Sequence, residues 1–395
     1  MGNHMKEIIL LKYGELVLKG SNKHVFEEKL LQNLRNKIKP YGAFDVWRAQ
    51  SAVYVKSKSE KPDIEGAFSA AKKVFGFSSL SLALEVEKNI VAIDTAVIEY
   101  LSSELEASRT FKVESKRSDK NFPMDSPSIC KHIGATVLEQ FPHLTVDLYN
   151  PDTTVVIEIR DTMAYIHKRG EKGAGGLPSG SSGRAALLVS GGIDSPVAGY
   201  MVARRGVELV AIHFYSYPYT SERSKLKVCD LCGLVSGYAG KIKLYVVPFT
   251  RIQEEIRNNC PEEYFTLIMR RMMMKISNVI AKREDCMALV TGESIGQVAS
   301  QTIQAILATN HAAELPVFRP VIGMDKEEIV AIARRIGTYE CSILPYEDCC
   351  TIFTPKHPRT KPQLEKVLEV ESSFDYDELI AEAIDGVEII VGGNT

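Results

Sequence analysis

The sequence predicts an α/β protein, with a doubly wound parallel sheet preceded by two smaller α+β blocks. Three observations carry this prediction. After residue 184, apolar runs without alternation recur and are separated by stretches with helical periodicity, the pattern of buried parallel strands joined by helices. The stretch 170–184 holds six glycines, three serines and one proline, so it reads as a linker. The length, 395 residues, suits two to three domains at roughly 100–200 residues each.

The expected domains are therefore 5–60, 61–169 and 185–395, with the linker at 170–184. In the first, Ile8 to Tyr13 reads as a strand. A helix is expected from about Asn22 to Lys39, burying Val25, Phe26, Leu30, Leu31 and Leu34, and Pro40-Tyr41-Gly42 ends it. Ala52 to Val55 is another short strand. In the second block, helices are expected at 65–74, 92–105 and 127–140. Strands are expected at 110–114, 145–149, 154–159 and 163–167. In the third, strands fall at 185–189, 208–214, 242–248 and 286–291, and helices at 195–205, 222–238, 252–258 and 262–283.

Composition excludes several classes. No run of about 18 apolar residues is present, so no transmembrane helix is expected. No signal peptide is legible, and a cytoplasmic protein is expected. Eight cysteines in a chain this long are too dilute for a disulfide scaffold. The net charge of −2 is uneven. From Pro362 onward the chain carries one basic and nine acidic residues, and the remainder has a net charge of +6. This reads as an acidic tail on a mildly basic body. Lys112, Lys116, Arg117 and Lys120 lie beside small polar residues, a combination suited to gripping phosphates. A solvated loop explains that stretch equally well.

The most informative string is Ser190-Gly191-Gly192-Ile193-Asp194-Ser195-Pro196, set between a buried strand and a helix. Glycines allow a tight turn and close backbone approach to an anion. The free amides and dipole of the following helix point at it. Ser190 and Ser195 add hydroxyls, and Pro196 suits a first helical turn. A kinase-type P-loop lysine and a Gly-x-Gly-x-x-Gly fingerprint are both absent.

This string resembles the pyrophosphate-binding loop of the PP-loop ATP pyrophosphatases. Lys12-Tyr-Gly-Glu-Leu16, Lys19-Gly20, Gly180-Ser-Ser-Gly-Arg184, Arg270-Arg-Met-Met-Met-Lys275, Thr291 to Gln301 and Tyr346 to Lys356 narrow the likeness. Together they closely resemble the tRNA 4-thiouridine synthetases, also called thiamine-biosynthesis sulfurtransferases, over nearly the whole chain. The resemblance implies a ferredoxin-like domain, a THUMP domain that meets tRNA, and a PP-loop domain. It implies ATP and Mg2+ as cofactors, with Gly191, Gly192 and Ser195 on the pyrophosphate and Asp194 catalytic, through magnesium or by orienting phosphates. It further implies ATP contacts from Leu188, Val189 (commonly Leu in relatives), Ser190, His213, Phe214, Arg270, Gly292 and Gln301. Met272-Met273-Met274 reads as helix core.

In the mechanism that the resemblance implies, a cysteine desulfurase supplies a persulfide, the uridine C4 oxygen (expected position 8) is adenylated, and sulfur displaces AMP. Several relatives carry a rhodanese domain for the sulfur; 34 residues after Lys361 are too few for one. A separate rhodanese-like carrier or an internal cysteine is expected instead. Cys349 looks like the family's cysteine that resolves the persulfide, and Cys350 is its neighbour. Cys229 and Cys232 read as a redox pair, as part of a zinc or iron–sulfur site with Cys349 or Cys350, or as helix-core cysteines. Homodimerisation is expected from relatives. Two other readings are carried: an amidating ligase of the GMP-synthetase type, and an RNA-binding module without catalysis.

Overall fold

The structure, a computed structural model, describes residues 7–18, 22–49, 52–59, 62–346, 349 and 352–392. It divides into two compact units, 1–176 and 177–395.

The first unit contains β1 (Glu7–Tyr13), α1 (Lys23–Ile38), β2 (Phe44–Ala49), β3 (Ala52–Ser57), α2 (Ile64–Ala71), β4 (Phe77–Glu87), α3 (Ile90–Tyr100), α4 (Ser102–Ala107), β5 (Thr110–Arg117), α5 (Ser126–Gln140), β6 (Thr145–Val146), β7 (Thr153–Ile159), β8 (Met163–Lys168) and β9 (Glu171–Lys172). One sheet runs β2-β3-β1-β4-β8-β7-β5-β6, with β9 also on β4. The apolar run of β1 pairs antiparallel on both sides, Leu10 with Tyr54 and with Ser81. α1 buries Leu30, Leu31, Leu34 and Ile38, but Val25, expected in that face, is 55% exposed. Side chains of α3 and α5 (Ile93, Val97, Ile129, Ile133) share a core with Val155, Ile157 and Ile159 of β7.

Three expectations about this unit change. β4 was not expected, although Leu80, Leu82, Leu84 and Val86 alternate with Ser79, Ser81, Ala83 and Glu85 at the strand period. It is nonetheless an 11-residue strand, pairing β1 through Leu84 and β8 from Leu84 to Glu87. The strand expected at 110–114 runs on through the basic stretch to Arg117, pairing parallel with β7 from Phe111–Thr153 to Arg117–Ile159, so that part of the stretch is not a solvated loop. At 145–149 only two residues are strand, because the Asp147 side chain accepts from the amides of Tyr149 and Asn150 and turns the chain.

The second unit contains β10 (Arg184–Leu188), α6 (Asp194–Ala203), β11 (Glu208–Tyr215), α7 (Glu222–Ala239), β12 (Ile242–Pro248), α8 (Thr250–Asn259), α9 (Phe265–Arg283), β13 (Leu289–Val290), α10 (Ile303–Asn310), β14 (Val317–Phe318), α11 (Lys326–Ile336), α12 (Tyr339–Ser342), α13 (Leu364–Glu371), α14 (Asp377–Asp385) and β15 (Glu388–Gly392). The sheet order is β14-β13-β10-β11-β12-β15. Its first five strands are parallel and β15 is antiparallel. The first strand in the chain is central, so the order reverses beside β10, where doubly wound sheets bind ligands at their C-terminal strand ends.

The acidic end is not a tail. α13 and α14 contribute Val367, Val370, Leu379, Ala383 and Ile384 to the same core as α9 and β12. Glu371 is buried and accepts from Arg271 Nε, from Arg271 Nη2 at 3.1 Å, and lies 3.1 Å from Lys275 Nζ. Burial alone would raise its pKa, but the hydrogen bond from Arg271 and the two positive charges hold it below the usual carboxylate range. Among the described residues no helix is long and apolar enough to cross a membrane.

Candidate active site

At the C-terminal ends of β10, β11 and β13 lies a cavity. Leu188, Val189, Ser190, Gly192, Asp194 and Ser195 line it from the first strand and its turn, and His213 and Phe214 from the second. Arg270, Gly292, Gln301 and Cys349 complete the set expected from the sequence, so residues from Leu188 to Cys349 converge on one space. Gly191 belongs to the same turn but does not line the cavity. Met273 and Met274, expected as core alone, are buried and also form its wall.

The loop is held by its own hydroxyls. The Ser190 amide donates to Ser195 Oγ at 2.9 Å, the two Oγ atoms are 3.2 Å apart, and the Gly192 amide donates to Ser190 Oγ at 3.3 Å. Closing the ring in this way fixes the turn before α6, whose first turn begins at Asp194. Gly292 supplies the opposite wall. A Cβ there would lie 2.6 Å from the Ser195 nitrogen and 2.8 Å from its Cα, so only glycine permits this approach of two backbones. His213 Nδ1 lies 3.2 Å from the Val189 carbonyl oxygen, which joins the two strand ends.

Asp194 does not stand alone. Lys326 Nζ donates to its Oδ1 at 2.7 Å and Gln297 Nε2 to its Oδ2 at 2.8 Å. A carboxylate beside a phosphate site needs a cation, and Lys326 provides one from the chain itself. The sequence reading had no signal for Lys326, which lies 132 residues away. Its position comes from α11, whose first turn is fixed by a capping box between Asp325 and Glu328. One carboxylate next to phosphate oxygens is also a donor set that Mg2+ accepts, since this ion keeps most of its waters. Asp194 therefore fits that cation.

Arg270 is already engaged. It donates through Nη2 to Glu293 and through Nη1 to Ser300 Oγ at 3.3 Å. Glu293 also accepts from Arg319 Nε at 2.7 Å and from the Thr291 hydroxyl at 2.9 Å. Burial would push Glu293 up, but the charges of Arg270 and Arg319 hold it below the usual carboxylate range. Two guanidinium groups share one buried carboxylate, and of the three Arg270 and Glu293 line the cavity. Glu293 and Arg319 were not singled out in the sequence; the coupling is long-range. Gln301 is 9% exposed, and its Oε1 has no hydrogen-bond partner, so it offers a free acceptor to a ligand.

The cysteines separate by environment. Cys349 is buried at the cavity wall. Cys350, with Glu347 and Asp348, lies outside the described residues. Cys229 and Cys232 lie on α7; burial raises both, and Cys232 reaches about 12. Cys232 is buried and Cys229 half-buried, and in both the raised pKa disfavours the thiolate. Among the described residues no group of three or more His, Cys, Asp or Glu could hold a metal; Cys350, the other ligand expected for such a site, lies outside them.

In the first unit the basic cluster is split by the strand period. Lys112 and Lys116 share a face of β5, and Lys116 pairs in register with Glu158. Lys112 Nζ is 2.7 Å from Glu114, while Lys116 and Lys120 are exposed. Arg117 points to the other face, where Nη1 donates to the carbonyls of Phe122 at 3.0 Å and Met124 at 3.1 Å. Arg117 thus clamps the loop that follows it.

Fold and site together define a PP-loop-type nucleotide-binding enzyme with an α+β front half. The comparisons agree and narrow this. The family model described as thiamine biosynthesis protein (ThiI) matches residues 180–376, the ThiI ferredoxin-like model 8–81 and the THUMP model 87–167. A "Probable tRNA sulfurtransferase" of Acetivibrio thermocellus is 48% identical over 388 residues, covering 98% of this chain and 99% of the relative. One of Alkaliphilus oremlandii is 48% identical over 388 residues, 98% of each. The crystal structure of a 4-thiouridine synthetase in complex with RNA and bound ATP matches with a TM-score of 0.89 at 34% identity, covering 98% of this chain and 100% of that one. A Pyrococcus horikoshii structure, at 24% identity and a TM-score of 0.63 over 84% of this chain and 99% of that one, shows the same fold. The chain belongs to the ThiI family of tRNA sulfurtransferases.

Proposed function

We propose that the chain is an ATP-dependent tRNA uridine 4-sulfurtransferase. The observation that carries this reading is that a phosphate-type loop and a cysteine, Cys349, line one cavity. An amidating ligase has no need of a thiol there. The uridine C4 oxygen attacks the α-phosphorus of ATP and pyrophosphate leaves. The terminal sulfur of the persulfide then attacks C4, and AMP leaves with the original oxygen. The Cys349 thiol attacks the carrier sulfur, forming a disulfide with it and leaving the terminal sulfur on C4. A thiol reductant restores the two thiols. The amides of the 190–195 turn and the Arg270–Glu293–Arg319 group receive the phosphates. Asp194 would hold Mg2+, which offsets phosphate charge. Lys326 orients Asp194. Sulfur is delivered as a persulfide from a cysteine desulfurase, and the same sulfur can serve the thiamine thiazole, in keeping with the family. Lys112, Lys116 and Lys120 meet tRNA phosphates in the first unit.

The test supplies ATP, unmodified tRNA, a cysteine desulfurase and cysteine, and reads thiolated nucleoside and pyrophosphate. Both are expected from the natural sequence. Asp194→Ala should lose both products while binding tRNA normally. Pyrophosphate without thiolated nucleoside from the natural sequence points to a different adenylating reaction.

A further inference from the structure

The backbone of Cys349 is bonded by a buried side chain with no assigned role. Gln253, on α8, has no solvent exposure. Its Nε2 donates to the Cys349 carbonyl oxygen at 2.8 Å and lies 3.4 Å from Met269 Sδ. Its Oε1 accepts from the Ser216 hydroxyl at 2.5 Å. Ser216 is itself set in place, since its amide donates to Thr220 Oγ1 at 3.1 Å and its carbonyl accepts from the Thr220 amide at 2.8 Å. The amide cannot be flipped without setting Oε1 against the Cys349 carbonyl, so its orientation follows from its partners.

Of the three partners of Gln253, Cys349 lines the nucleotide cavity, and Ser216 and Met269 lie close in sequence to residues that do. Ser216 follows β11, two residues after Phe214 at the cavity. Met269 precedes Arg270 and is one helical turn from Met273, both in the cavity wall. Cys349 is the candidate sulfur-handling residue. Four residues beyond Cys349, Phe353 is packed edge-on to Tyr219 and Phe265 with ring centroids 5.0 and 5.7 Å away, and Arg257 lies over its ring. These contacts anchor the segment at Phe353, and the bond from Gln253 holds it at the Cys349 carbonyl. A fully buried amide is costly unless both ends are bonded, and an apolar side chain would fill the core as well. Both ends are bonded here, one of them to the peptide that carries the thiol.

We infer that Gln253 is a positioning residue for the sulfur step: its carboxamide fixes the peptide of Cys349 so that the thiol stays at the nucleotide cavity. This inference rests on the sulfurtransferase reading above. It assigns Gln253 no part in adenylation.

Gln253→Leu keeps the volume and removes the hydrogen bonds. In the full chain with ATP, unmodified tRNA, desulfurase and cysteine, it is expected to release pyrophosphate within about two-fold of the natural rate, with the KM for ATP unchanged. Thiolated nucleoside should fall at least ten-fold. Peptide-resolved mass spectrometry should show Cys349 alkylation by iodoacetamide changing several-fold, with Cys130 and Cys341 unchanged. Ser216→Ala, a smaller perturbation that releases only Oε1, should shift the same two readouts in the same direction by a few-fold, and it serves if Gln253→Leu does not fold. Thiolation at the natural rate in both variants overturns the inference, as does parallel loss of pyrophosphate and thiolation. If the natural chain releases pyrophosphate but never thiolates, the functional reading fails instead, and unchanged alkylation of Cys349 then also overturns the positioning role.

Discussion

At the residue scale the site depends on how each charge is answered. Asp194 would oppose an incoming triphosphate, and Lys326 meets it at 2.7 Å. A lysine at the first position of a helix works against the helix dipole, so its place there is compensated by the carboxylate it holds. Arg270 and Arg319 share Glu293 in the same manner. The residues of the 190–195 string were legible because they are contiguous and their chemistry is local. Lys326, Glu293 and Gln253 were not, because each acquires its role only when distant segments meet. Cys349 is the residue on which the sulfur reading turns. Cys349→Ala is expected to stop formation of thiolated nucleoside while pyrophosphate release continues. If Cys350→Ala alone has that effect, the neighbouring thiol is the one in use.

Among the elements, the strand ends and the helix after them matter most. β10, β11 and β13 end on one side of the sheet, and α6 starts where they end. Parallel strands buried on both faces announce themselves as unbroken apolar runs, which is why β10, β11 and β12 were readable. β4 was missed although it alternates at the strand period, because its Leu, Ala and Glu content taken alone favours helix. The 110–117 stretch was ambiguous for a related reason: its polar residues alternate on a strand whose outer face is not apolar. β13 is only two residues long, and Gly292 just after it touches the backbone of Ser195. Gly292→Ala should push the two apart, raising the KM for ATP by about ten-fold or more, measured as pyrophosphate release, with little change in tRNA binding. Unchanged ATP kinetics would show that this close approach is not what shapes the site.

At the scale of the whole molecule, charge that looks superficial from the sequence proves internal. The acidic end supplies Glu371 to Arg271, which is 2% exposed, and strand β15 to the edge of β12. Composition could not reveal this, since a buried ion pair and a solvated tail have the same residue count. Glu371→Gln leaves Arg271 with an uncompensated buried charge and is expected to cost about 3–5 kcal/mol, seen as a lower unfolding midpoint in denaturant. The pH dependence follows from the depressed pKa of Glu371 in the folded state. Its contribution is complete above the unfolded carboxylate value near about 4.3, and it is lost as pH falls through the lower folded value. Acid destabilisation should therefore be shallower in Glu371→Gln than in the natural chain.

β4 has a mechanical consequence for the front half. The ferredoxin-like and THUMP models end and begin at 81 and 87, both within this one strand. A junction made of sheet cannot act as a hinge: bending there would break ladder hydrogen bonds to β1 on one side and β8 on the other. The two sequence domains are thus a single stiff plate, and any RNA that they bind together meets a surface of fixed shape rather than two arms that close around it.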